Sequence, residues 1–219
     1  MKVEIWSDVM CPFCYIGKKR FENALSQFEN AGEVEVEWKS YQLNPALETQ
    51  PEINATEHLA KSKGWTLEYT KEAQANVVQM AKGEGLEFDF TKTVVANSFM
   101  AHRLTHYAKT MGKQLELEEK LFESYFVLGQ NIDDPMVLKM LTSKIGLPIK
   151  EVEDVLNSQA YAEDVEKDIY ESKQFGVQGV PYYVIDGKYG LSGAQESSTF
   201  LKALNQVWEK DYNNEASKA

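Results

Sequence analysis

The chain is poor in cysteine and histidine, with two of the first and three of the second in 219 residues. Secreted disulfide scaffolds carry several widely spaced cysteines, so staples of that kind are excluded. Stability must rest on a packed core, for which 43% hydrophobic residues at this length suffice. Long apolar runs are missing too. No stretch reaches the roughly 18 residues that a membrane span takes. The opening Met1-Lys2-Val3-Glu4-Ile5-Trp6 has one basic residue and no apolar signal core, so the expected location is the cytoplasm. Positive charge is short as well: 23 Lys and Arg stand against 34 Asp and Glu, a net charge of −11. Phosphate binding needs clustered Lys and Arg, which excludes nucleic acid and anionic membranes as partners. Acids such as Glu116, Glu118, Glu119 and Glu123 read as a solvated helical surface.

What is present begins with an alternating strand at residues 3–7 and a helix from Tyr15 to Phe28, with Ile16, Phe21, Leu25 and Phe28 at helical spacing. Pro12 suits the first helical turn, where its missing N–H is no loss, and Ala31-Gly32 closes the segment. Val34, Val36 and Trp38 alternate with Glu35, Glu37 and Lys39 as a second strand. From about Thr56 to Phe175 the pattern is helical, five or six helices with no strand. Stops fall at Gly83 with Gly85, Gly112, Gly129, Gly146 and Gly176, and Asp134-Pro135 marks a start. Strands return at Pro181 to Ile185 and Tyr189 to Gly193, joined by the hairpin pair Asp186-Gly187. Ser197 or Ser198 is expected to cap a last helix carrying Phe200, Leu201, Leu204, Val207 and Trp208, and Asn213 to Ala219 form a polar tail. The order β-α-β, helical block, β-β-α predicts an α/β fold. Residues 1–45 and 176–219 build one four-stranded sheet domain, and 46–175 form a helical insertion.

Both cysteines fall in Cys11-Pro12-Phe13-Cys14, between the first strand and its helix. Spacing of three on a first helical turn brings two sulfurs within bonding reach. It also sets Cys11 at the helix N-terminus, where unpaired N–H groups favour negative charge. A dithiol works as a redox couple when one sulfur is an accessible thiolate and the other attacks the mixed disulfide it forms. Cys11 is therefore the expected nucleophile and Cys14 the resolving thiol, with Pro12 and Phe13 tuning the pair. Two rival readings are open. A structural disulfide across so small a loop would constrain little chain entropy. Zinc takes about four ligands, and His58, His102 and His106 match no zinc-finger spacing with the cysteines.

Gly176-Val177-Gln178-Gly179-Val180-Pro181 leads into the third strand. Proline at a strand start withholds no ladder donor, and in a thioredoxin-like sheet a cis-proline loop sits there, opposite the dithiol. Val180 would then offer its backbone to an extended substrate.

The stretches Ser7-Asp8-Val9-Met10-Cys11-Pro12-Phe13-Cys14-Tyr15-Ile16-Gly17 and 175–195, from Phe175 through Val180-Pro181 to Gln195, resemble the DsbA family. With Asn97-Ser98-Phe99-Met100-Ala101-His102-Arg103-Leu104, the likeness is greatest to the FrnE-like cytoplasmic branch. The resemblance implies a thioredoxin-like fold with a large all-helical insertion. It further implies dithiol–disulfide exchange with protein or small-thiol substrates through Cys11, Cys14 and Pro181. No cofactor is implied beyond the redox-active disulfide Cys11–Cys14; glutathione or a thioredoxin-type protein would recycle it. Phe13 stands where better-known periplasmic members carry histidine, which leaves the direction of electron flow open.

His102 and Arg103 are candidates to face the active-site groove from the insertion, and Asn97 a weaker one. Glu37 and Lys39 read as a solvated strand face, the alternative being a buried acid near the resolving cysteine. Trp6, Phe13, Tyr15 and Tyr182 divide between core and an apolar rim for peptides. A competing function is a glutathione-dependent isomerase or transferase of the 2-hydroxychromene-2-carboxylate isomerase or kappa-class type, whose members carry serine at the catalytic position. A redox-inert binding module that uses the groove is the third.

Overall fold

A computed structural model describes residues 1–213. The chain opens with β1 (Lys2–Ser7), α1 (Pro12–Gln27) and β2 (Glu35–Ser40). β1 and β2 run parallel with Ile5 opposite Trp38, so α1 is the crossover that a parallel pair requires. At the far end come β5 (Tyr182–Ile185), β6 (Tyr189–Ser192) and α9 (Ser197–Val207). β5 pairs antiparallel with β1 and β6 with β5, giving the sheet order β2-β1-β5-β6. The central strand β1 is thus flanked by one strand from each end of the chain. At the hairpin, Asp186 and Gly187 both have positive φ, and Lys188 N–H donates to Ile185 O at 3.0 Å. The fold is mixed α/β and thioredoxin-like, as the element order predicts.

The chain departs from expectation in three ways, two of them in its middle. The middle holds seven helices rather than five or six: α2 (Ala55–Lys63), α3 (Leu67–Gly83), α4 (Phe99–Thr110), α5 (Gln114–Phe126), α6 (Pro135–Lys144), α7 (Ile149–Leu156) and α8 (Ala162–Gln174). It also contains strand: β3 (Gln50–Asn54) pairs antiparallel with β4 (Val94–Val95). Two residues of β4 are too few to show a period. Finally, α9 begins from Glu196, with no side-chain cap, and Ser197 is already helical. The predicted glycine stops hold: Gly112, Gly129, Gly146 and Gly176 each follow a helix at φ between 66° and 79°, the left-handed exit that glycine adopts without strain. Asp134 caps α6, accepting from Met136 N–H at 2.8 Å. The polar tail expected over 213–219 lies, past Asn213, outside the described residues.

One apolar core runs through the molecule. Val3, Ile5, Ile16, Phe21, Tyr183, Ile185, Phe200 and Leu204 fill the space around the sheet, continuous with Leu104, Leu117, Leu121, Phe122 and Leu138 among the helices. Tyr15 is the joint between them, stacked on Phe122 at 5.0 Å. The joint is polar as well: Glu119 of α5 accepts from Tyr15 Oη at 2.8 Å and from Lys18 Nζ at 2.5 Å and Lys19 Nζ at 2.7 Å, all on α1.

Glu37 and Lys39 do not form a solvated face; both are buried. Helix α8 lies over them, and Lys39 Nζ binds Asp168 at 2.8 Å and Glu171 at 2.9 Å. Asp168 also accepts from Ser40 N–H at 2.8 Å and lies 3.1 Å from His106 Nε2, while its carbonyl takes the Trp6 indole N–H at 2.8 Å. The charges that a lone strand would give to water are paired beneath a helix.

Candidate active site

Cys11 is the N-cap of α1 and Pro12 its first helical residue. The turn before it is closed by Cys11 N–H donating to Asp8 O at 2.9 Å, and Cys14 N–H returns to Cys11 O at 3.0 Å. Both thiols are free. Cys11 is 4% exposed, whereas Cys14 is fully buried behind it. Burial, and after it the neighbouring Cys11 sulfur, pushes Cys14 well above the ordinary thiol value. A proton therefore stays on Cys14 until something removes it.

The cis-proline loop reaches the dithiol. The Val180–Pro181 bond is cis, and the Cys11 thiol donates to Val180 O at 3.4 Å. Gly17 makes this approach possible: a Cβ there would lie 2.6 Å from Tyr183 Oη and 3.0 Å from Pro181 Cγ. Phe13 is 40% exposed and presents an aromatic face beside Cys11. Of the other aromatics weighed as rim, Trp6 and Tyr15 belong to the core and Tyr182 is half-buried.

The structure thus brings Cys11, Pro12, Phe13, Cys14, Val180 and Pro181 together, and leaves out three candidates from the middle of the chain. His102 is 2% exposed and cannot touch a substrate in the groove, which corrects its expected binding role. Arg103 is turned away, donating to the carbonyls of Val155, Ser158 and Ala160 at the end of α7. Asn97 is a tether: its side chain accepts from Gln42 at 3.0 Å and donates to Leu47 O at 2.7 Å, holding the segment after β2 against the start of α4. That segment borders an open groove of about 870 Å³ lined by Gln42, Pro45, Phe99, Arg103, Tyr170 and others, but by neither cysteine. Among the described residues no group of three His, Cys, Asp or Glu side chains is placed to hold a metal ion; His58 is on α2, and His106 is engaged with Ser40 and Asp168.

Three buried residues that sequence reasoning did not single out lie behind the active-site groove: Ser7 and Asp8 at the Cys14 sulfur, and Glu118 beyond them, beside His102 and Asp8. Ser7 Oγ and Asp8 N–H face the Cys14 sulfur and draw its proton affinity down. Asp8, 1% exposed, accepts through its carboxylate from Met10 N–H at 3.2 Å and Leu43 N–H at 2.7 Å. Its Oδ1 lies 3.6 Å from His102 Nε2. Glu118 of α5, expected on a solvated surface, is instead 3% exposed. Burial pushes it up to about 7, against the pull of His102, Lys18 and His106. Ser7 and Asp8 stand just ahead of the motif with nothing local to show that they are buried, and Glu118 joins them only through the packing of α5.

This combination of a thioredoxin-like sheet, a dithiol at a helix mouth and an apposed cis-proline defines a thiol–disulfide oxidoreductase fold. The chain belongs to the DSBA-like thioredoxin domain family, whose model matches residues 2–205. It is similar to a probable DsbA oxidoreductase of Streptomyces coelicolor, with 36% identity, 95% of this chain and 90% of the other covered, and a TM-score of 0.90. An uncharacterized protein of Bacillus subtilis (strain 168), YwbO, is 27% identical over 95% of this chain and 98% of its own. At 13% identity, a 2-hydroxychromene-2-carboxylate isomerase shares the fold with a TM-score of 0.71, over 97% of this chain and 98% of that one.

Proposed function

We propose that the chain is a cytoplasmic protein of the FrnE-like branch that exchanges disulfides with protein or small-thiol substrates through Cys11-Pro12-Phe13-Cys14. The observation that carries this reading is the Cys11 thiol held at the cap of α1 and 3.4 Å from Val180 O, with Cys14 buried behind it. Cys11, as thiolate, attacks one sulfur of a substrate disulfide; a Cys11–substrate bond forms and the other substrate sulfur leaves as thiolate. Cys14 then loses its proton and attacks Cys11. The Cys11–Cys14 bond forms, the second substrate thiolate leaves, and the substrate has gained the two electrons that the dithiol has given up. Run in reverse, the same steps oxidise a dithiol substrate. Val180 and Pro181 offer the backbone against which an extended peptide lies, and Pro12 and Phe13 the apolar contact beside the reacting sulfur. Glutathione or a thioredoxin-type protein resets the couple, and no other cofactor takes part.

The test is to trap the intermediate. Cys14→Ser lacks the resolving sulfur, so it is expected to accumulate a Cys11 mixed disulfide with an aromatic disulfide probe, visible by mass. Wild type is expected to equilibrate reversibly with glutathione. If no reversible couple exists and glutathione binds intact, the isomerase or transferase reading replaces this one. If Cys11→Ser/Cys14→Ser retains activity, the groove is a binding module.

A further inference from the structure

The open groove of about 870 Å³ falls within the roughly 300–1,000 Å³ of ligand clefts, and the exchange steps make no use of it. One wall is a single face of α8, where Glu166, Ile169, Tyr170 and Lys173 stand at helical spacing. The other is the segment after β2, with Leu47 and Glu48, backed by Phe99 at the start of α4. Both walls lead to the dithiol. Helix α8 ends at Gln174, and the chain runs on from there to the cis bond at Val180–Pro181. The opposite wall begins at Gln42. The next residue, Leu43, donates its N–H to the Asp8 carboxylate at 2.7 Å, and the Asp8 carbonyl takes Cys11 N–H at 2.9 Å.

The second wall is held in place before anything binds. Asn97 Nδ2 donates to Leu47 O at 2.7 Å and Asn97 N–H to Thr49 Oγ1 at 2.9 Å, and the Thr49 hydroxyl donates in turn to Asp133. The charges of the groove are graded along it. Glu48 and Glu166 are exposed and enter no ion pair among the described residues, and Asp133 adds a third carboxylate. Arg103 spends its guanidinium on the carbonyls of Val155, Ser158 and Ala160. The lining cation left to a ligand is Lys173, about 10 Å along α8 from Glu166 on the side of the cis-proline loop. Ile169, Leu47, Phe99 and Tyr170, the last 62% exposed, supply apolar surface between these charges. Resting on the exchange reaction above, we propose that the groove takes an extended segment of a protein substrate, with apolar side chains near the reacting cysteine and a Lys or Arg further along. Glu48 and Glu166 meet that cation, on a chain whose net charge of −11 already favours basic partners. A small thiol at Cys11 has no part in the groove, since neither cysteine lines it.

The experiment compares two peptides whose single cysteine is a mixed disulfide with thionitrobenzoate. Cys11, as thiolate, attacks the peptide sulfur, and the thionitrobenzoate released reports the rate. One peptide carries leucines beside the cysteine and lysines beyond them; the other has glutamates in place of the lysines. Each rate is divided by that of the same chain with a small aromatic disulfide. In wild type the lysine peptide is expected to react about tenfold faster at low salt, an advantage that shrinks as salt is added. Glu48→Lys/Glu166→Lys should abolish the preference, and Tyr170→Ala should slow both peptides by about fivefold against the small probe. All three side chains are exposed, so the fold does not depend on them. Equal peptide rates in wild type, or a preference that survives the double charge reversal, overturn the proposal. So does self-association of wild type that Tyr170→Ala removes, which would give the face to a second copy. A wild type that reacts with no disulfide at all is a failure of the exchange reaction. The groove is then decided by the affinity of the same peptides, with serine for cysteine, for Cys11→Ser/Cys14→Ser: tighter binding of the lysine peptide supports it, and equal affinity overturns it.

Discussion

At the scale of single residues, the site depends on what is small as much as on what is reactive. Gly17 faces the loop that carries Pro181, and three atoms of Tyr183, Pro181 and Ala194 lie within 3.4 Å of where its Cβ would be. Two of them belong to backbone or a rigid ring and cannot swing aside. Gly17→Ala is therefore expected to lower stability by about 1–3 kcal/mol, the range for overpacking a tight contact. It should also slow exchange, because the Val180 carbonyl is pushed away from Cys11. Denaturant melts and the rate of mixed-disulfide formation check the two halves separately. Full stability with wild-type rate would show that the loop has slack the geometry does not reveal. Asp8 is a second case of a small residue with several tasks, since it holds the turn before Cys11, the start of the segment after β2, and the approach to His102.

At the scale of elements, the decisive contact is that of α1 with α5. Glu119 receives three donors from α1. Burial alone would raise its pKa, but Lys18, then Lys19 and Tyr15, hold it down at about 2 instead of 4.5. A depressed carboxylate contributes stability that is complete above the unfolded value and is lost as pH falls through the folded one. Wild type should accordingly lose this contribution between about pH 4.5 and pH 2. Glu119→Gln should be less stable by about 1–2 kcal/mol at pH 7, with the difference from wild type closing over that same interval. Melting temperatures of both chains from pH 7 to pH 2 measure it; a difference independent of pH would assign the loss to packing. Helix α8 acts similarly on the other side of the sheet. Asp168→Ala would leave Lys39 with Glu171 at 2.9 Å and with Glu37 and Glu4 only at 3.7 and 3.9 Å, and would take the acceptor from Ser40 N–H; the cost stays below the about 3–5 kcal/mol of a fully stranded buried charge. The expected result is a chain that unfolds at markedly lower denaturant, whereas Asp168→Asn, which keeps the bonds to Ser40 and Lys39 in part, should lie between.

At the scale of the whole molecule, what the sequence discloses and what it hides divide by range. The strand–helix–strand opening, the cap and proline of α6, the glycine exits and the Asp186-Gly187 hairpin are written in neighbouring residues, and they fold as those residues dictate. The dithiol and the loop at Pro181 are legible because each is a short string. β3 and β4 are not, since Gln50–Asn54 is mostly polar with a proline and Val94–Val95 is only a pair. Glu37 and Lys39 look solvated along their own strand, and only Asp168 and Glu171, far along the chain, make them interior. His102 could be singled out as a candidate, but its place behind the dithiol depends on Asp8 and Glu118, which no spacing connects.

The sheet order places β1 between a neighbour made just after it and one made about 140 residues later. While the intervening helices are being translated, β1 has one open edge. About 140 residues at roughly 5–20 per second keep it open for on the order of ten seconds. During that time Cys11 has already left the ribosome, and the loop that will cover it does not yet exist. The nascent chain thus carries an uncovered dithiol beside an unpaired strand. What covers them until Pro181 arrives has to come from the segments made before it, the helices of the middle among them.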